Sequence, residues 1–516
     1  MLEISTTNKI IGTTYSVVVP DIYEKFKINR DAEIFEKLVL DYLLTKHSED
    51  KELIDYIMSL PKSDKRMATL LAIDGDNVLW SKMNSFVNGC SDKMEHIKDV
   101  VKIINQFVKD GEVERKKYGE VMTPITLVRE MLDTLPKEVW SNPNLKWLDP
   151  ANGAGTFPFV VIYKLMNGLK NVEGFEDVEF RYKHIVENMI YTCELQSRNV
   201  ALWLCGVDPK DEYTTNTYWG SFLDEGFDYH MKNVWSVEKF DIVIGNPPYQ
   251  EHKEGFTKTK PLWNLFVEKS LSIMEKGGFL NMVHPGGWRS PKGIFRDIYT
   301  SFISRNLIFL SINDFKKGLE TFGVGTNYDF YCLQNINTDK NLTKVISTDG
   351  KIHELDINKF EFIPNGDFEG YVNLIAKENQ EKVNILYSRS AYGTDKSNMS
   401  RPEIDDFIYP CVYTITQREG INLFFSKTKN NGHFNIPKVI WSNGLGTYPI
   451  VDNSGQYGLT QFSYGIVDEL ENLENIKKAL ESDKFLKLME YSKFTNNKYD
   501  YKVISTFRKD FWKDFV

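Results

Sequence analysis

Between about residues 110 and 335, short apolar runs alternate with longer segments in which apolar residues recur at helical spacing. The apolar runs include LKWLDP, FDIVIGN, GGFLNMVHP and YDFYCLQN, and the helical segments include TFPFVVIYKLMNGL and PLWNLFVEKSLSIM. Strands separated by helix-length segments are typical of βαβ units, in which parallel strands form one sheet. This part of the chain is therefore predicted to be an α/β domain with a mainly parallel, Rossmann-like sheet.

The two flanking regions have different patterns. Residues 20–110 are rich in Glu, Lys, Leu and Ile at helical spacing, which predicts a mostly helical N-terminal region. Beyond about residue 340 the segments become short and mixed, and they are dense in Asn, Gly, Tyr, Phe and Lys. We predict three parts: a helical region over residues 1–109, the α/β domain over residues 110–337, and a separate mixed domain over residues 338–516.

The composition indicates a globular protein and narrows its classes of function. Of the 516 residues, 41% are hydrophobic and 26% are charged, so the chain can bury a large core. The net charge of −9 argues against a uniformly basic nucleic-acid-binding surface, but it allows a local basic cleft. The five cysteines lie far apart without a CxxC pair, so we expect no metal site, no disulfide framework and a reducing cytoplasm. The sequence predicts neither a secretion signal nor a membrane-spanning segment.

The stretch DIVIGNPPYQ, residues 241–250, joins a buried strand to an unusual turn. Asn246, Pro247, Pro248 and Tyr249 leave the strand as a turn stiffened by two prolines, which have a fixed φ and no N–H to donate. Such a turn presents an amide, backbone carbonyls and an aromatic ring at the carboxyl end of a strand. In open α/β sheets, ligands bind at that end.

Two further strand ends predict a nucleoside-binding site. In WLDPANGAG, Asp149 ends a strand and is followed by Ala151, Gly153 and a helix, so a ligand can approach the backbone at a tight turn. In CELQS, Glu194 ends the next strand and is placed to accept hydrogen bonds from ribose hydroxyls. Each motif alone also fits an ordinary turn or a solvated charge. Their separation leaves room for one helix and its loops, as a βαβ unit requires.

The segment KYGEVMTP ends in Thr123 and Pro124, which favour the start of a helix. Together with the later motifs it resembles a known family. GEVMTP, DPANGAGTF, CEL and IGNPPYQ occur in this order in the gamma-type N6-adenine DNA methyltransferases of restriction–modification systems, and NPPY is the specific element. The resemblance covers about residues 110–335. It implies a Rossmann-like S-adenosylmethionine-dependent methyltransferase sheet and a separate C-terminal target-recognition domain.

The resemblance also implies the cofactor, S-adenosylmethionine, and its binding site. The residues implied are Thr123, Pro124, Asp149, Ala151, Gly153, Glu194 and Phe222. Thr123 and Pro124 would lie near the methionine part, and Glu194 would bind the ribose. In the family, an acidic residue followed by an aromatic residue, as in GDFL, holds the cofactor's adenine, but residues 220–223 read GSFL here. Ser221 in place of the acidic residue therefore predicts a weaker contact with the adenine.

As catalytic residues the resemblance implies Asn246, Pro247, Pro248 and Tyr249. The exocyclic amino group of adenine is a poor nucleophile, because its lone pair is delocalised into the ring. Hydrogen bonds from this group to the side-chain oxygen of Asn246 and the carbonyl of Pro247 would direct the lone pair at the methyl donor without a strong base. Tyr249 is expected to stack on an adenine flipped out of the duplex, with Phe322 or Tyr328 as a second aromatic contact.

Contacts to double-stranded DNA are expected in the C-terminal domain. Residues 411–449 carry a local net charge of +3, and so do residues 491–516. The basic residues of the first segment are Arg418, Lys427, Lys429 and Lys438. Aromatic residues and Asn between them suit a surface that tracks phosphates and reads base edges. The alternative is a solvated basic face over an aromatic core.

The predicted function is site-specific methyl transfer from S-adenosylmethionine to the N6 amino group of a flipped adenine, in the cytoplasm of a bacterial cell or a phage-infected host. A restriction or phage subunit is a further possible partner. Two alternatives remain open. The chain could methylate protein glutamine or RNA guanine amino groups, whose planar nitrogens pose the same chemical problem. It could also be a DNA-binding specificity protein with a degenerate site, which Ser221 would explain.

Overall fold

The computed structural model describes part of the chain, namely residues 3–8, 13–18, 123–208, 212–250, 260–291, 293–339, 342–388, 392–442, 448–494 and 499–516. The predicted helical region over residues 20–110 lies outside these residues. Near the N-terminus, β1 (Glu3–Asn8) and β2 (Thr13–Val18) form an antiparallel hairpin, where no strands were predicted. Among the described residues, no helix has the length and apolar character needed to cross a membrane.

A central sheet of nine strands contains the predicted α/β pattern. Its strands are β3 (Trp147–Asp149), β4 (Ile190–Glu194), β5 (Asn216–Trp219), β6 (Phe240–Gly245), β7 (Met274–Pro285), β8 (Arg305–Asn313), β9 (Tyr328–Asn337), β10 (Leu342–Ile346) and β11 (Ile352–Asp356). They lie in the order β11-β10-β8-β9-β7-β6-β3-β4-β5. Strands β3 to β7 are mutually parallel, and β9 runs antiparallel between β7 and β8. The predicted Rossmann-like α/β sheet is confirmed.

Helices connect these strands and cover both faces of the sheet. They are α1 (Ile125–Leu132), α2 (Thr156–Gly168), α3 (Val178–His184), α4 (Ser197–Val207), α5 (Glu225–Asn233), α6 (Trp263–Ser272), α7 (Arg296–Ile303) and α8 (Phe315–Phe322). Side chains of a strand alternate between its two faces. In β6, Ile242 and Ile244 therefore join the buried cluster beneath α1 and α2, whereas Val243 joins the cluster beneath α5 to α7. An apolar run without alternation is what such a doubly covered strand requires.

The described residues of the C-terminal part form two four-stranded sheets and three α-helices. The elements are α9 (Phe368–Leu374), β12 (Asn384–Tyr387), β13 (Met399–Ser400), β14 (Tyr409–Thr416), β15 (Gly420–Ser426), β16 (Lys438–Ser442), β17 (Ile450–Asp452), β18 (Gly458–Leu459), β19 (Ser463–Val467), α10 (Leu470–Glu481) and α11 (Asp483–Glu490). The sheets have the orders β12-β19-β16-β17 and β13-β15-β14-β18. Strands β10 and β11 extend the central sheet beyond residue 337, and the division into three domains stays a prediction.

Candidate active site

The predicted motifs meet at one edge of the central sheet. Strands β3 and β6 are neighbours, but the chain passes from β3 to β4 and β5 on one side before it returns to β6 on the other. Because these strands are parallel, their carboxyl ends share an edge. Asp149, Glu194 and Gly245 end β3, β4 and β6 at this edge. A reversal of strand order of this kind leaves a crevice in which α/β proteins bind ligands.

The loop after β3 is attached to the end of β4. The N–H of Ala151 donates to Asp149 Oδ1 at 3.1 Å, and the N–H of Gly153 donates to Glu194 Oε2 at 2.8 Å. Gly153 and Gly155 have φ values of 54° and 97°, which L-residues with a side chain rarely adopt. A β-carbon at Gly155 would also lie 2.6 Å from the Trp203 ring. The glycines therefore allow the close turn that the sequence predicted.

The Asp149 carboxyl is a buried group with one unused oxygen. The residue is 2% exposed, and Oδ2 accepts no hydrogen bond within the described part of the chain. Burial raises the pKa of Asp149 from 3.8 to about 8. The hydrogen bond from the N–H of Ala151 lowers this pKa somewhat, whereas the charge of Glu194 raises it further. A buried polar atom without a partner is costly in a folded protein. A ligand that donates a hydrogen bond to Oδ2 would remove this cost.

Glu194 faces the same loop with a fixed carboxylate. Oε1 accepts the N–H of Gln196 at 2.8 Å, and Oε2 accepts that of Gly153 at 2.8 Å. These two backbone contacts hold the carboxylate in place beside the loop. The contact with ribose stays a prediction.

The Asn246 to Tyr249 turn follows β6 directly beside Asp149. A β-carbon at Gly245 would lie 2.9 Å from Asp149 Oδ1, so the end of β6 is in contact with the carboxyl that ends β3. Asn246 Nδ2 donates to Thr123 Oγ1 at 3.0 Å, and the carbonyl of Tyr249 accepts the N–H of Leu262 at 3.0 Å. The turn is therefore anchored on both sides. It brings Thr123, near the end of GEVMTP, into contact with NPPY, although the two lie far apart in the sequence.

The predicted aromatic contacts differ in their exposure. Tyr249 is half-buried, and its hydroxyl is buried without a hydrogen-bond partner among the described residues. Burial raises the pKa of this hydroxyl, and the nearby Tyr328 and Asp329 raise it further. Phe322 and Tyr328 are each 1% exposed and pack edge to face with ring centroids 4.9 Å apart. In this arrangement neither ring presents an open face to a base. Their role as the second aromatic contact stays a prediction.

The GSFL string forms the turn after β5. Ser221 Oγ accepts the N–H of Leu223 at 3.2 Å, so the hydroxyl supplies an uncharged acceptor where the family has a carboxylate. Phe222 is buried, and its ring lies 5.3 Å from that of Phe266. Lys269 Nζ lies 5.2 Å from the centroid of the Phe222 ring. Phe222 is therefore part of a packed aromatic cluster at the predicted cofactor edge.

The predicted DNA-contacting residues separate into two groups. Arg418, Lys427 and Lys429 are exposed, and the two lysines lie over aromatic rings, Lys427 at 4.5 Å from Phe407 and Lys429 at 5.4 Å from Tyr409. Lys438 is 0% exposed and pairs with Asp452 at 3.0 Å. The prediction that Lys438 adds to a basic surface is wrong, because this lysine neutralises a buried carboxylate.

The second basic segment is largely neutralised by its neighbours. Arg508 pairs with Asp510 and Asp514 at 2.8 and 2.5 Å. Three lysines of this segment are also paired: Lys493 with Glu490, Lys509 with Glu381 and Glu469, and Lys513 with Asp510. Lys498 lies outside the described residues. The net charge of +3 counted over residues 491–516 therefore overestimates the positive charge available to phosphates, because Glu490 and Glu381, which lie outside this segment, neutralise two of its lysines.

Sequence reasoning missed Asn281, a buried polar residue on β7. Its Nδ2 donates to the carbonyl of Met131 at 3.0 Å and to Thr134 Oγ1 at 2.9 Å, which attaches the end of α1 to the sheet. A single Asn within the apolar run FLNMV was the available signal. The same strand carries His284. It stacks on Trp263 at 4.1 Å, and burial lowers its pKa to about 3.

The sheet has a Rossmann-like α/β topology, and the predicted motifs meet at its switch point. Residues 179–322 match the Eco57I restriction-modification methylase family, and this segment contains Glu194, Phe222 and the turn from Asn246 to Tyr249. Thr123 and Asp149 lie outside the matched segment. The resemblance to restriction–modification methyltransferases is therefore confirmed for this domain.

Three proteins illustrate what the chain is similar to. An uncharacterized adenine-specific methylase of Mycoplasma pneumoniae is 24% identical over 334 residues, which cover 51% of this chain and 76% of that protein. The modification subunit of a proposed type I restriction enzyme from Vibrio vulnificus is 17% identical with a TM-score of 0.38, over 57% of this chain and 61% of that subunit. The Type ISP restriction-modification enzyme LlaGI is 11% identical with a TM-score of 0.49, over 93% and 67% of the two chains.

Proposed function

We propose that this chain is a site-specific DNA methyltransferase that transfers a methyl group from S-adenosylmethionine to the N6 amino group of an adenine flipped out of the duplex. The observation that carries the proposal is the position of the Asn246 to Tyr249 turn. It lies at the switch point of the sheet, in contact with Asp149 through Gly245 and with Thr123 through the Asn246 amide. The restriction–modification methylase match narrows the class of reaction.

The residues at this edge fit S-adenosylmethionine. When bound, this cofactor supplies a methyl group on a positively charged sulfur. The left-handed turn at Gly153 lets a ligand approach the backbone, and Asp149 Oδ2 is a buried acceptor without a partner in the described structure. Glu194 is proposed to accept hydrogen bonds from the ribose hydroxyls. Thr123, Pro124 and Ala151 would lie around the methionine part, and Phe222 beside the cofactor's adenine.

Asn246 and Pro247 are proposed to activate the target amino group. The Asn246 side-chain oxygen and the Pro247 carbonyl would each accept one N–H, which turns the nitrogen lone pair toward the methyl carbon. The amino nitrogen would form a bond to the methyl group that the cofactor supplies, the electron pair of the broken bond would remain with sulfur, and the extra proton would leave nitrogen for solvent. No residue of this chain has to act as a strong base. Rigid acceptors suit this task, and Pro247 and Pro248 stiffen the turn that bears them.

Tyr249 is proposed to hold the flipped adenine by stacking. An adenine leaving the duplex loses stacking energy, and an aromatic ring at the site returns part of it. Stacking also holds the amino nitrogen within about 3 to 3.5 Å of the methyl carbon, the range in which reacting atoms are productively placed. The half-buried Tyr249 ring sits on the turn that bears the acceptors.

Double-stranded DNA is proposed to lie across the exposed residues Arg418, Lys427 and Lys429. Their positive charges would contact phosphates, and the rings beneath the two lysines hold those side chains at the surface. A restriction or phage subunit is proposed as a further partner, and the cytoplasm as the site of action.

The experiment that tests this function is transfer of labelled methyl groups to mixed unmethylated genomic DNA. We expect label on adenine N6 with the wild type and loss of label in Asn246→Ala. Asn335→Ala is the matched control, because Asn335 lies near the carboxyl end of the antiparallel β9, at the opposite edge of the sheet. Label on protein or RNA instead of DNA would support a glutamine or guanine methyltransferase. No label on any substrate would overturn the proposal and favour a degenerate DNA-binding protein.

A further inference from the structure

We infer that Thr123 is a positioning residue that sets the orientation of the catalytic amide of Asn246, an inference that rests on the proposed function. Resemblance assigns Thr123 to the cofactor's methionine part. The geometry assigns its hydroxyl a different contact, because Oγ1 lies 3.0 Å from Asn246 Nδ2. Thr123 is 5% exposed, so this contact lies away from bulk water.

The chemistry requires one particular orientation of this amide. The oxygen and nitrogen ends of an Asn side chain are nearly isosteric, but only the oxygen can accept an N–H from the adenine amino group. In the other orientation two donors would face each other. When the oxygen faces the base, the two N–H groups of Nδ2 point away from it and need an acceptor. Thr123 Oγ1 is such an acceptor and accepts from Nδ2 in the structure, so the observed orientation of the amide is the reactive one.

The hydroxyl can do this because the chain around it is fixed. The carbonyl of Pro124, the next residue, accepts the N–H of Val128 at 3.1 Å in the first turn of α1. At the other end of α1, the carbonyl of Met131 accepts from Asn281 on β7. Strand β7 pairs with β6, the strand that leads into Asn246. Thr123 and Asn246 are thus held by two neighbouring strands of the same sheet, and their contact is a consequence of packing rather than of a flexible loop.

The two roles of Thr123 predict different kinetic effects. Thr123→Val keeps the shape of the side chain but removes the acceptor. If the hydroxyl positions Asn246, the single-turnover rate at saturating S-adenosylmethionine falls by about 10- to 100-fold, because a buried donor loses its acceptor. The Kd of the cofactor, measured by calorimetry, then stays within about twofold of the wild-type value. Thr123→Ser retains the hydroxyl and is expected to retain most of the rate.

Thr343→Val controls for general damage. Thr343 is also buried, and its Oγ1 donates to the carbonyl of Leu307 at 2.7 Å on the far side of the sheet. Its removal deletes a threonine hydroxyl hydrogen bond without touching the site. We expect this variant to methylate at the wild-type rate. An equal loss of rate in Thr343→Val and Thr123→Val would overturn the inference.

A double-mutant cycle isolates the contact itself. Asn246→Ala removes the amide, so no N–H remains for Thr123 to accept. In the wild-type background we expect Thr123→Val to lower the urea concentration at the midpoint of unfolding, and in the Asn246→Ala background we expect it to leave this midpoint unchanged, which means that the two effects are not additive. Fully additive effects would show that Thr123 acts on something other than Asn246.

The outcomes also separate this inference from the function on which it rests. If the wild type places no label on DNA, the proposed function fails and the inference fails with it. If the wild type methylates adenine while Thr123→Val reacts at the wild-type rate with a raised Kd for the cofactor, only the inference is overturned. In that case Thr123 belongs to the cofactor site alone.

Discussion

Gly245 lies so close to Asp149 that a β-carbon on Gly245 would stand 2.9 Å from Asp149 Oδ1. The two residues end neighbouring parallel strands. Gly245 precedes the turn that is proposed to be catalytic, and Asp149 begins the loop that is proposed to bind the cofactor. The absence of a side chain at Gly245 is what allows the two loops to share one edge. A larger residue would separate the acceptors of the turn from the cofactor loop.

Gly245→Ala is expected to destabilise the fold and to weaken cofactor binding. The added carbon meets Asp149 at a φ of 148°, which L-residues rarely adopt, and we expect a loss of about 1 to 3 kcal/mol in the free energy of unfolding. Urea unfolding and calorimetric titration with S-adenosylmethionine measure the two effects. Gly277→Ala is the control, because Gly277 has a φ of 89° but nothing within 4 Å of the added carbon. Equal cofactor affinity in the two variants would contradict the prediction.

Asp149→Asn is expected to change the pH dependence of stability. The pKa of Asp149 is about 8 in the folded protein, above its ordinary value of 3.8, so the folded state retains a proton that the unfolded state loses. The carboxyl is therefore harmless below about pH 4 and destabilises increasingly up to about pH 8. We therefore compare the free energies of unfolding of the variant and the wild type. Asp149→Asn should become more stable relative to the wild type as the pH rises through this range, by up to about 1.4 kcal/mol per pH unit.

Denaturant unfolding of both proteins at pH 5, 6 and 7 tests this slope. Asp349→Asn provides a control of opposite sign, because hydrogen bonds from Lys351 and Ser347 lower the pKa of Asp349 to about 2. Loss of that carboxylate should reduce stability above about pH 4, by a small amount since the group is near the surface. A difference between Asp149→Asn and the wild type that is constant with pH would disprove the predicted burial of the charge.

Lys438→Met is expected to destabilise the C-terminal domain rather than to weaken DNA binding directly. Lys438 and Asp452 are both 0% exposed, so removal of the lysine leaves a buried carboxylate without its counter-ion. We expect a loss of about 3 to 5 kcal/mol in the free energy of unfolding. Lys438→Met combined with Asp452→Leu should recover much of this loss, since neither charge then remains. A single variant as stable as the wild type would mean that the pair is solvated.

Lys427→Ala and Lys429→Ala are expected to show the opposite pattern. Both lysines are exposed over aromatic rings, so stability should change by less than about 0.5 kcal/mol. Removal of one positive charge that binds a phosphate should lower the slope of log Kd against log salt by about 0.9. Fluorescence anisotropy with duplex DNA at several salt concentrations measures this slope. Lys164→Ala is the control, because Lys164 lies in α2 and pairs with Asp133 at 2.5 Å. An unchanged slope in both lysine variants would place the DNA elsewhere.

Ser221→Asp is expected to tighten cofactor binding. Ser221 accepts the N–H of Leu223 through a neutral hydroxyl, and a carboxylate at this position would add a charged acceptor at the predicted adenine contact. We expect the Kd for S-adenosylmethionine to fall by about 3- to 10-fold, the size of one additional hydrogen bond. Ser221→Asn, which adds an uncharged acceptor of the same size, separates shape from charge. An unchanged Kd in both variants would mean that the turn after β5 does not contact the cofactor.

The sequence by itself determined the features that depend on neighbouring residues. The apolar run of β6 predicted a strand buried on both faces, and Ile242, Val243 and Ile244 are buried in that way. The glycines after Asp149 predicted a tight turn, and Gly153 and Gly155 have the left-handed φ values that such a turn uses. The alternation of short apolar runs with segments of helical spacing predicted the α/β sheet. These properties follow from backbone sterics and side-chain alternation, which act over a few residues.

Only the tertiary structure decided which of the candidate side chains meet and which are available. Lys438 looks like its neighbours Lys427 and Lys429 in the sequence, yet it is buried against Asp452 on the adjacent strand. Phe322 and Tyr328 pack against each other, and Thr123 meets Asn246 across 123 positions of sequence. Burial and pairing depend on which distant residues occupy the same space, and packing determines this for the whole domain at once. No local pattern contains that information.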